Sequence, residues 1–117
     1  MPALIDNSRD RIITLFTDFG LADTYVGVVK GVILSINPNA TIVDITHEAA
    51  PQDIEEGVFL IEEYRRLFPP RTIHVCVIDP TVGSTRRPLI VSKDNYFFVG
   101  PDNGLLTRVL EGAEVRV

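Results

Sequence analysis

Residues 12–45 read IITLFTDFGLADTYVGVVKGVILSINPNATIVDI, and this stretch points to the fold class. Its first apolar run, residues 12–17, shows no polar alternation, which is typical of a strand buried on both faces of a parallel sheet. Apolar residues then recur at helical spacing over residues 24–36, and Asp23 stands where it can cap the first turn. A second apolar run follows at residues 41–45. The stretch therefore predicts a strand, a helix and a strand in succession.

The rest of the chain continues this alternation. Asp53 and Glu56 have the spacing of a capping box, which predicts a helix extending to about Leu67. The further predicted elements are a strand at residues 72–78, a hairpin of residues 88–92 and 96–99, a short helix capped by Asp102 or Asn103 and ending at Leu110, and the beginning of a strand at residues 114–117 with nothing behind it to pair. Alternating strands and helices imply right-handed crossovers. We expect an α/β fold with a three-layer-like, largely parallel sheet, flanking helices and a C-terminal hairpin.

Composition narrows the class of protein before any motif is considered. The chain has 117 residues, 45% of them hydrophobic, which suits one domain with a single core. A net charge of -5 disfavours nucleic acid as a partner, because neutralising phosphates requires clustered lysine and arginine. No apolar run approaches the ~20 residues that span a bilayer, so no membrane partner is expected. The single cysteine, Cys76, lies in an apolar run and indicates a buried thiol in a reducing compartment, so we expect a cytoplasmic protein.

Polar residues cluster directly after the apolar strands or in the turns that follow them. The clusters are TDFGLAD at residues 17–23, DITHEAAPQD at 44–53, VIDPTVGSTRR at 77–87 and VGPDNG at 99–104. In a parallel sheet the carboxyl ends of the strands meet at one edge, where α/β proteins bind their ligands. The sequence therefore predicts a site at that edge.

Two pairs of residues in these clusters are candidates for chemistry. Asp18 and Asp23 place two carboxylates near one bend, where they could bind the hydroxyls of a ribose or a cation; the structural alternative is a turn residue and a helix cap. Asp79 and Arg86 lie seven positions apart across a glycine turn. A guanidinium keeps a nearby carboxylate ionised and oriented, so Asp79 could position a water, or the two could form a structural salt bridge. The residues alone leave both alternatives open.

The histidines and the absent motifs restrict the chemistry further. His47 and His74 have no ligand spacing with each other or with a cysteine, so a zinc site is poorly supported. His74 alternates within a strand and is predicted to be structural, whereas His47 could line a cleft. The sequence contains no GxGxxG, Walker A or GxSxG motif, which removes the common nucleotide-binding and acyl-transfer patterns.

The four clusters with their flanking strands, in this order, resemble the S-adenosyl-L-methionine hydroxide adenosyltransferase family, which is related to the bacterial fluorinases and chlorinases. The resemblance extends over about residues 11–110. It implies cleavage of S-adenosyl-L-methionine by attack at the ribose C5′ carbon, with methionine expelled. Water is the nucleophile in the hydrolases, which yield adenosine, and halide is the nucleophile in the halogenases. The resemblance implies no cofactor and no metal.

The same resemblance assigns roles to particular residues. Asp18 falls on the family's ribose-binding aspartate, and Asp23 on the carboxylate that holds the methionine amino group. Asp79 and Arg86 match two members of the family's Asp-Arg-His set, which activates water. Halogenases resemble this region but have a tyrosine in place of Asp79, an extra loop before the next strand, and, in the fluorinases, a tryptophan in place of Gln52. The resemblance therefore implies hydroxide transfer.

The resemblance also implies that part of the site is missing. The family's third catalytic residue, a histidine, and its C-terminal β-barrel domain with the adenine pocket lie beyond residue 117, and the full-length proteins form homotrimers with shared sites. We expect residues 1–117 to be a single truncated N-terminal domain that is weak or inactive alone. The alternatives are a non-catalytic fragment that binds adenosine or self-associates, and a metal-dependent hydrolase built on Asp18, Asp44 and Asp79.

Overall fold

The computed structural model describes residues 10–79 and 87–117. In chain order its elements are β1 Ile12–Thr17, α1 Tyr25–Ile36, β2 Thr41–Thr46, α2 Ile54–Tyr64, β3 Ile73–Val77, β4 Pro88–Lys93, β5 Tyr96–Pro101, α3 Thr107–Leu110 and β6 Glu114–Arg116. The predicted succession of strands and helices is confirmed. Helix α2 ends at Tyr64, three residues before the predicted end, and Arg65 is its C-cap.

The strands form one sheet in the order β2-β1-β3-β5-β4-β6. Strands β2, β1, β3 and β5 run parallel to one another, whereas β4 is antiparallel to both β5 and β6. The largely parallel sheet and the hairpin are therefore confirmed. The strand predicted to begin at residues 114–117 is confirmed as β6. It was expected to have nothing behind it to pair, but it pairs with the earlier strand β4, with Val115 opposite Val91.

The helices lie on both faces of the sheet. Leu15 and Thr17 of β1 line a cavity together with Val26 of α1. Phe16 lies between them in β1 and points to the opposite face, since successive side chains of a strand point to opposite faces. Its ring lies 3.8 Å from the position that a Cβ on Gly57 of α2 would occupy. Helix α1 therefore covers one face and α2 the other, which gives the predicted three layers.

The core lies mainly on the α2 side of the sheet. Its buried members are Phe16, Ala49, Ile61, Cys76, Ile78, Leu89, Val91, Tyr96, Phe98, Leu105, Leu106 and Val109. They come from the strands, from α2 and α3, and from the connecting segments, so one apolar cluster stabilises the sheet together with α2 and α3. This core fixes the strand ends that carry the polar clusters.

Cys76 and His74 are buried structural residues, as predicted. Burial raises the pKa of the Cys76 thiol to about 12, so it stays protonated at neutral pH. The Nε2 of His74 donates to the carbonyl of Arg65 at 3.0 Å, and its Nδ1 therefore accepts from the hydroxyl of Thr14 at 2.7 Å. Burial lowers the pKa of His74, which keeps the ring neutral within the aromatic side of the core.

Helix α1 forms where it was predicted, but much of its apolar stripe is not covered. Val26 is its buried residue, while Val28, Val32 and Ile36 are 56%, 55% and 74% exposed. An apolar helix of this kind is usually packed against another element. Within the described residues, no helix has both the length and the apolar character needed to cross a bilayer.

Two of the predicted helix caps are present. The Asp53 carboxylate accepts a hydrogen bond from the backbone N–H of Glu56 at 3.0 Å, which confirms the cap of α2. The Asp23 carboxylate accepts from the backbone N–H of Tyr25 at 2.9 Å, so it satisfies the first helical amide of α1 from one position before the N-cap. Both carboxylates also interact favourably with the positive end of the helix dipole.

The predicted cap of α3 by Asp102 or Asn103 is wrong. The N-cap of α3 is Leu106, which makes no side-chain capping bond. The amide of Asn103 is used elsewhere: its Nδ2 donates to the carbonyl of Ile78 at 2.7 Å, and its Oδ1 accepts from the N–H of Leu105 at 3.1 Å. Asn103 therefore links the segment after β5 to the end of β3.

Candidate functional site

The strand order predicts a crevice at the carboxyl edge of the sheet, between β1 and β3. From β1 the chain crosses by α1 to β2 on one side, and from β2 it returns by α2 over the opposite face to β3 on the other side. The segments after β1 and β3 therefore diverge. In open α/β sheets such a reversal of direction is the place where ligands bind.

Asp18 and Asp79 leave the sheet on the two sides of this crevice. Thr17, the last residue of β1, lies opposite Val77, the last residue of β3, and the N–H of Asp18 donates to the carbonyl of Val77 at 3.3 Å. Asp79 follows two residues after Val77, and both aspartates are partly buried. The structure thus brings these two predicted residues to neighbouring positions, while their chemical roles stay predictions.

Of the other two predicted site residues, the structure describes Asp23 alone. Asp23 is exposed at the start of α1, where its carboxylate already accepts the Tyr25 amide. A carboxylate has roughly four acceptor sites, so this bond leaves capacity for a ligand. Arg86 lies outside the described residues, and its pairing with Asp79 stays a prediction.

A chain of short hydrogen bonds lies under the segment that carries Asp18. The Nζ of Lys30 contacts Asp44 Oδ2 at 2.6 Å, and the opposite oxygen, Oδ1, contacts His47 Nε2 at 2.7 Å. His47 Nδ1 in turn contacts the hydroxyl of Thr17 at 2.7 Å, and the N–H of Phe19 donates to the same hydroxyl at 3.2 Å. Burial raises the pKa of Asp44, but the hydrogen bonds and charges of Lys30 and His47 outweigh it and hold that pKa below its ordinary value.

A cavity of about 240 Å³ lies between α1 and the sheet beside this chain. Its lining residues are Leu15, Thr17, Phe19, Tyr25, Val26, Val29, His47, Val75 and Val77. Thr17 and His47 bond to each other, and most of the other lining residues are apolar, so the cavity wall is mainly apolar. A larger groove between α2 and α3 is lined by none of Asp18, Asp23 and Asp79, the three predicted site residues that the structure describes.

The described residues give no support to a metal centre. Within 10–79 and 87–117, no three histidine, cysteine, aspartate or glutamate residues are grouped so that they could hold a metal ion. The alternative set of Asp18, Asp44 and Asp79 is therefore not assembled as a metal site. Asp44 is paired with Lys30 and His47 instead.

Several features of this edge were not predicted from the sequence. Thr17 and Asp44 were not recognised as partners of His47, and Asn103 was not recognised as a link to β3. A charged residue inside an apolar strand, three positions before a histidine, was the available signal for Asp44. Gln52, in the turn between β2 and α2, adopts a left-handed φ of 64°. Backbone strain of this kind often occurs in functional segments, and no local sequence pattern predicted it.

Known proteins are similar to this chain in sequence and in fold. Residues 13–117 match the SAM hydroxide adenosyltransferase N-terminal domain. An (R)-S-adenosyl-L-methionine hydrolase of Methanocaldococcus jannaschii is 50% identical over 105 residues, which cover 86% of this chain and 40% of the hydrolase. A fluorinase of Nocardia brasiliensis is 33% identical over 128 residues, which cover 90% of this chain and 43% of the fluorinase. The crystal structure of an uncharacterized conserved protein from Thermotoga maritima superposes with a TM-score of 0.83 at 42% identity, covering 89% of this chain and 42% of that one.

The chain spans about two-fifths of the length of these relatives. The match nevertheless includes the whole sheet, both long helices and the edge at which Asp18 and Asp79 lie. A family match over this range, together with a relative at 50% identity, decides the assignment. The chain belongs to the SAM hydroxide adenosyltransferase family.

Proposed function

We propose that this chain carries the ribose-binding and water-binding part of a site that hydrolyses S-adenosyl-L-methionine to adenosine and L-methionine. The observation that carries the proposal is the placement of Asp18 and Asp79 after the paired ends of β1 and β3, on either side of the crevice. A ligand that spans the crevice would meet one carboxylate on each side. The name of the M. jannaschii relative specifies the same substrate class.

The proposed reaction is a displacement at carbon. The oxygen of water attacks the ribose C5′, the C5′–S bond breaks, and its electron pair neutralises the sulfonium to give the thioether of methionine. One proton of the attacking water is released. Because the sulfonium is already a good leaving group, the protein mainly has to hold the water in line with the C5′–S bond and strip part of its hydration.

Each proposed role matches the chemistry of the side chain. The two oxygens of Asp18 can accept hydrogen bonds from the ribose 2′ and 3′ hydroxyls, and Asp23 can bind the methionine ammonium at the start of α1. Asp79 orients the attacking water and accepts its proton, and Arg86 keeps Asp79 ionised. The remaining contacts to adenine would come from outside this chain, as the family resemblance implies.

Hydroxide is favoured over halide as the nucleophile. An aspartate at position 79 can accept a proton from water, which a halide ion does not require. The alignment with the N. brasiliensis fluorinase extends over 128 residues, more than the 117 of this chain, so the fluorinase has inserted residues that this chain lacks. The higher identity to the hydrolase, 50% against 33%, supports the same choice.

Turnover by the purified 117-residue chain tests the proposal. The chain is incubated with S-adenosyl-L-methionine containing both sulfonium epimers, because the relative's name specifies the (R) form, and adenosine and methionine are followed by chromatography. We expect slow formation of the two products in equal amounts, with at least a ~10²-fold loss in Asp79→Asn. Glu63→Gln, which removes an exposed carboxylate of α2, is the matched control and should leave the rate unchanged. Full turnover in Asp79→Asn, or neither turnover nor adenosine binding in the unaltered chain, would overturn the proposal.

A self-associating role is the second candidate, and the exposed side of α1 favours it. Val28 and Val32 are more than half exposed one turn apart, and a Cβ on Gly27 or Gly31 would meet nothing within 4 Å, so another backbone could approach closely. We propose that copies of the chain associate through this side, with the homotrimer of the family as the expected state. Sedimentation velocity over a range of concentrations tests it. A chain that stays monomeric at all concentrations, or a Val32→Glu variant that associates equally well, contradicts it.

We propose further that the reaction needs no cofactor and takes place in the cytoplasm. The displacement balances with water and the sulfonium alone. The buried thiol of Cys76 needs no oxidising environment. Dialysis against a chelator should leave any turnover unchanged, and a loss that added divalent metal restores would refute the cofactor-free reaction.

A further inference from the structure

We propose that His47 is a positioning residue, which fixes the Asp18 segment through a directed chain of hydrogen bonds from Asp44 to Thr17. The functional consequence of this inference rests on the proposed role of Asp18 in binding ribose. The hydrogen-bond chain itself rests on geometry alone, because each of its hydrogen bonds is a contact of 2.6–3.2 Å between identified atoms.

The chemistry of the groups sets the direction of each link. The ammonium of Lys30 can only donate and the carboxylate of Asp44 only accepts, so His47 Nε2 must carry the proton that lies between the ring and Asp44. In the neutral ring Nδ1 is then an acceptor. The hydroxyl of Thr17 donates to Nδ1 and accepts from the N–H of Phe19. A single tautomer of the neutral His47 ring therefore satisfies all the hydrogen bonds from Lys30 to Phe19.

The backbone of His47 holds the same segment from a second side. The N–H of Gly20 donates to the carbonyl of His47 at 2.7 Å, and the N–H of Ala49 donates to the carbonyl of Thr17 at 3.2 Å. Asp18 lies between the residues tied in this way, with its own N–H bonded to Val77 of β3. Rotation of the Asp18 backbone would break bonds on both of its sides.

Burial makes these links costly to lose. His47 is 3% exposed and Thr17 is 2% exposed, and both border the apolar cavity under α1. A buried donor or acceptor without its partner loses its solvation without compensation, so the segment has one favoured arrangement. Thr17 and His47 direct their polar atoms at each other, which makes His47 a residue that acts through Asp18 and not on the substrate itself.

A matched pair of substitutions at Thr17 tests the proposal. Thr17→Val keeps the shape of the side chain but removes the hydroxyl, whereas Thr17→Ser keeps the hydroxyl. Isothermal titration with adenosine should give an affinity about five-fold weaker for Thr17→Val, since one net hydrogen bond is lost, and nearly unchanged for Thr17→Ser. Equal affinities for the two variants would overturn the positioning role.

Two readouts do not depend on ligand binding. In ¹⁵N spectra of the unaltered chain, His47 should show a protonated Nε2 and an unprotonated Nδ1, and the amides of Phe19 and Gly20 should exchange faster in Thr17→Val than in Thr17→Ser. The opposite tautomer, or equal exchange in both variants, refutes the hydrogen-bond chain. If the unaltered chain failed to bind adenosine, the proposed function would fail, while the tautomer and the exchange rates would still decide the inference about His47.

Discussion

Replacing Gly100 by alanine should destabilise the fold at the point where the candidate site is built. Gly100 lies in β5, where the strand passes close to β3. A Cβ at this position would lie 2.5 Å from the carbonyl oxygen of Cys76 and 3.4 Å from the Leu106 side chain, whereas real Cβ atoms keep at least 3.0 Å from their neighbours. The strands would have to move apart by about 0.5 Å. The obstacle is backbone, which cannot rotate away as a side chain can.

The size of the effect follows from the kind of obstacle. Adding a carbon to a well-packed interior costs about 1–3 kcal/mol, and a fixed backbone oxygen places Gly100→Ala near 3 kcal/mol. A domain of this size has a free energy of unfolding of about 5–15 kcal/mol. The loss should therefore lower the thermal midpoint by roughly 10 °C or more. Urea unfolding followed by circular dichroism measures the free energy directly.

Gly27→Ala is the matched control, because it makes the same chemical change in the opposite setting. Gly27 lies inside α1, where a Cβ would meet nothing within 4 Å. The helix should gain about 0.8–1 kcal/mol from the better propensity of alanine. A lower free energy of unfolding for Gly100→Ala and a higher one for Gly27→Ala would support the close packing of β5 against β3. A Gly100→Ala variant as stable as the unaltered chain would contradict the close approach of β5 to β3, and with it the position of Asp79 at the end of β3.

Three further predictions concern the frame of the site. Burial lowers the pKa of His74, and the charge of Arg65 lowers it further. Below about pH 6.5 the histidine therefore binds a proton more readily in the unfolded chain than in the folded chain. The free energy of unfolding in urea should consequently fall as the pH drops from 7 to 5. A pH-independent value, or an equal slope in His74→Gln, contradicts this. Asp53→Ala should cost about 1 kcal/mol through loss of the α2 cap, and Asp53→Asn almost nothing; equal losses in urea unfolding would reject the cap. Asn103→Ala should cost about 1–2 kcal/mol because the carbonyl of Ile78 loses its donor, and unchanged unfolding would show that this link contributes nothing.

Local patterns predicted the elements whose cause is local. The apolar run of β1, the helical spacing of α1 and the cap at Asp53 each lie within a few residues, and each was confirmed. The order of those elements was enough to predict a largely parallel sheet and to bring Asp18 and Asp79 to one edge.

The features that escaped prediction depend on contacts between distant residues. Thr17 and His47 are 30 positions apart, and Asn103 and Ile78 are 25 apart, so their bonds follow from how the strands assemble and not from nearby sequence. The pairing of β6 with β4 has the same origin. The uncovered stripe of α1 also could not be foreseen, because a helical pattern shows which residues share a side and not what packs against it.

We propose that Asp18 and Asp79 border one crevice that binds the adenosyl group. A titration of the ¹⁵N-labelled chain with adenosine, in which the backbone amides of both residues are followed by NMR, tests this arrangement. We expect the two amides to shift together along one saturation curve, and Asp18→Asn to weaken the binding. Shifts confined to other parts of the chain, or separate curves for the two amides, would contradict it.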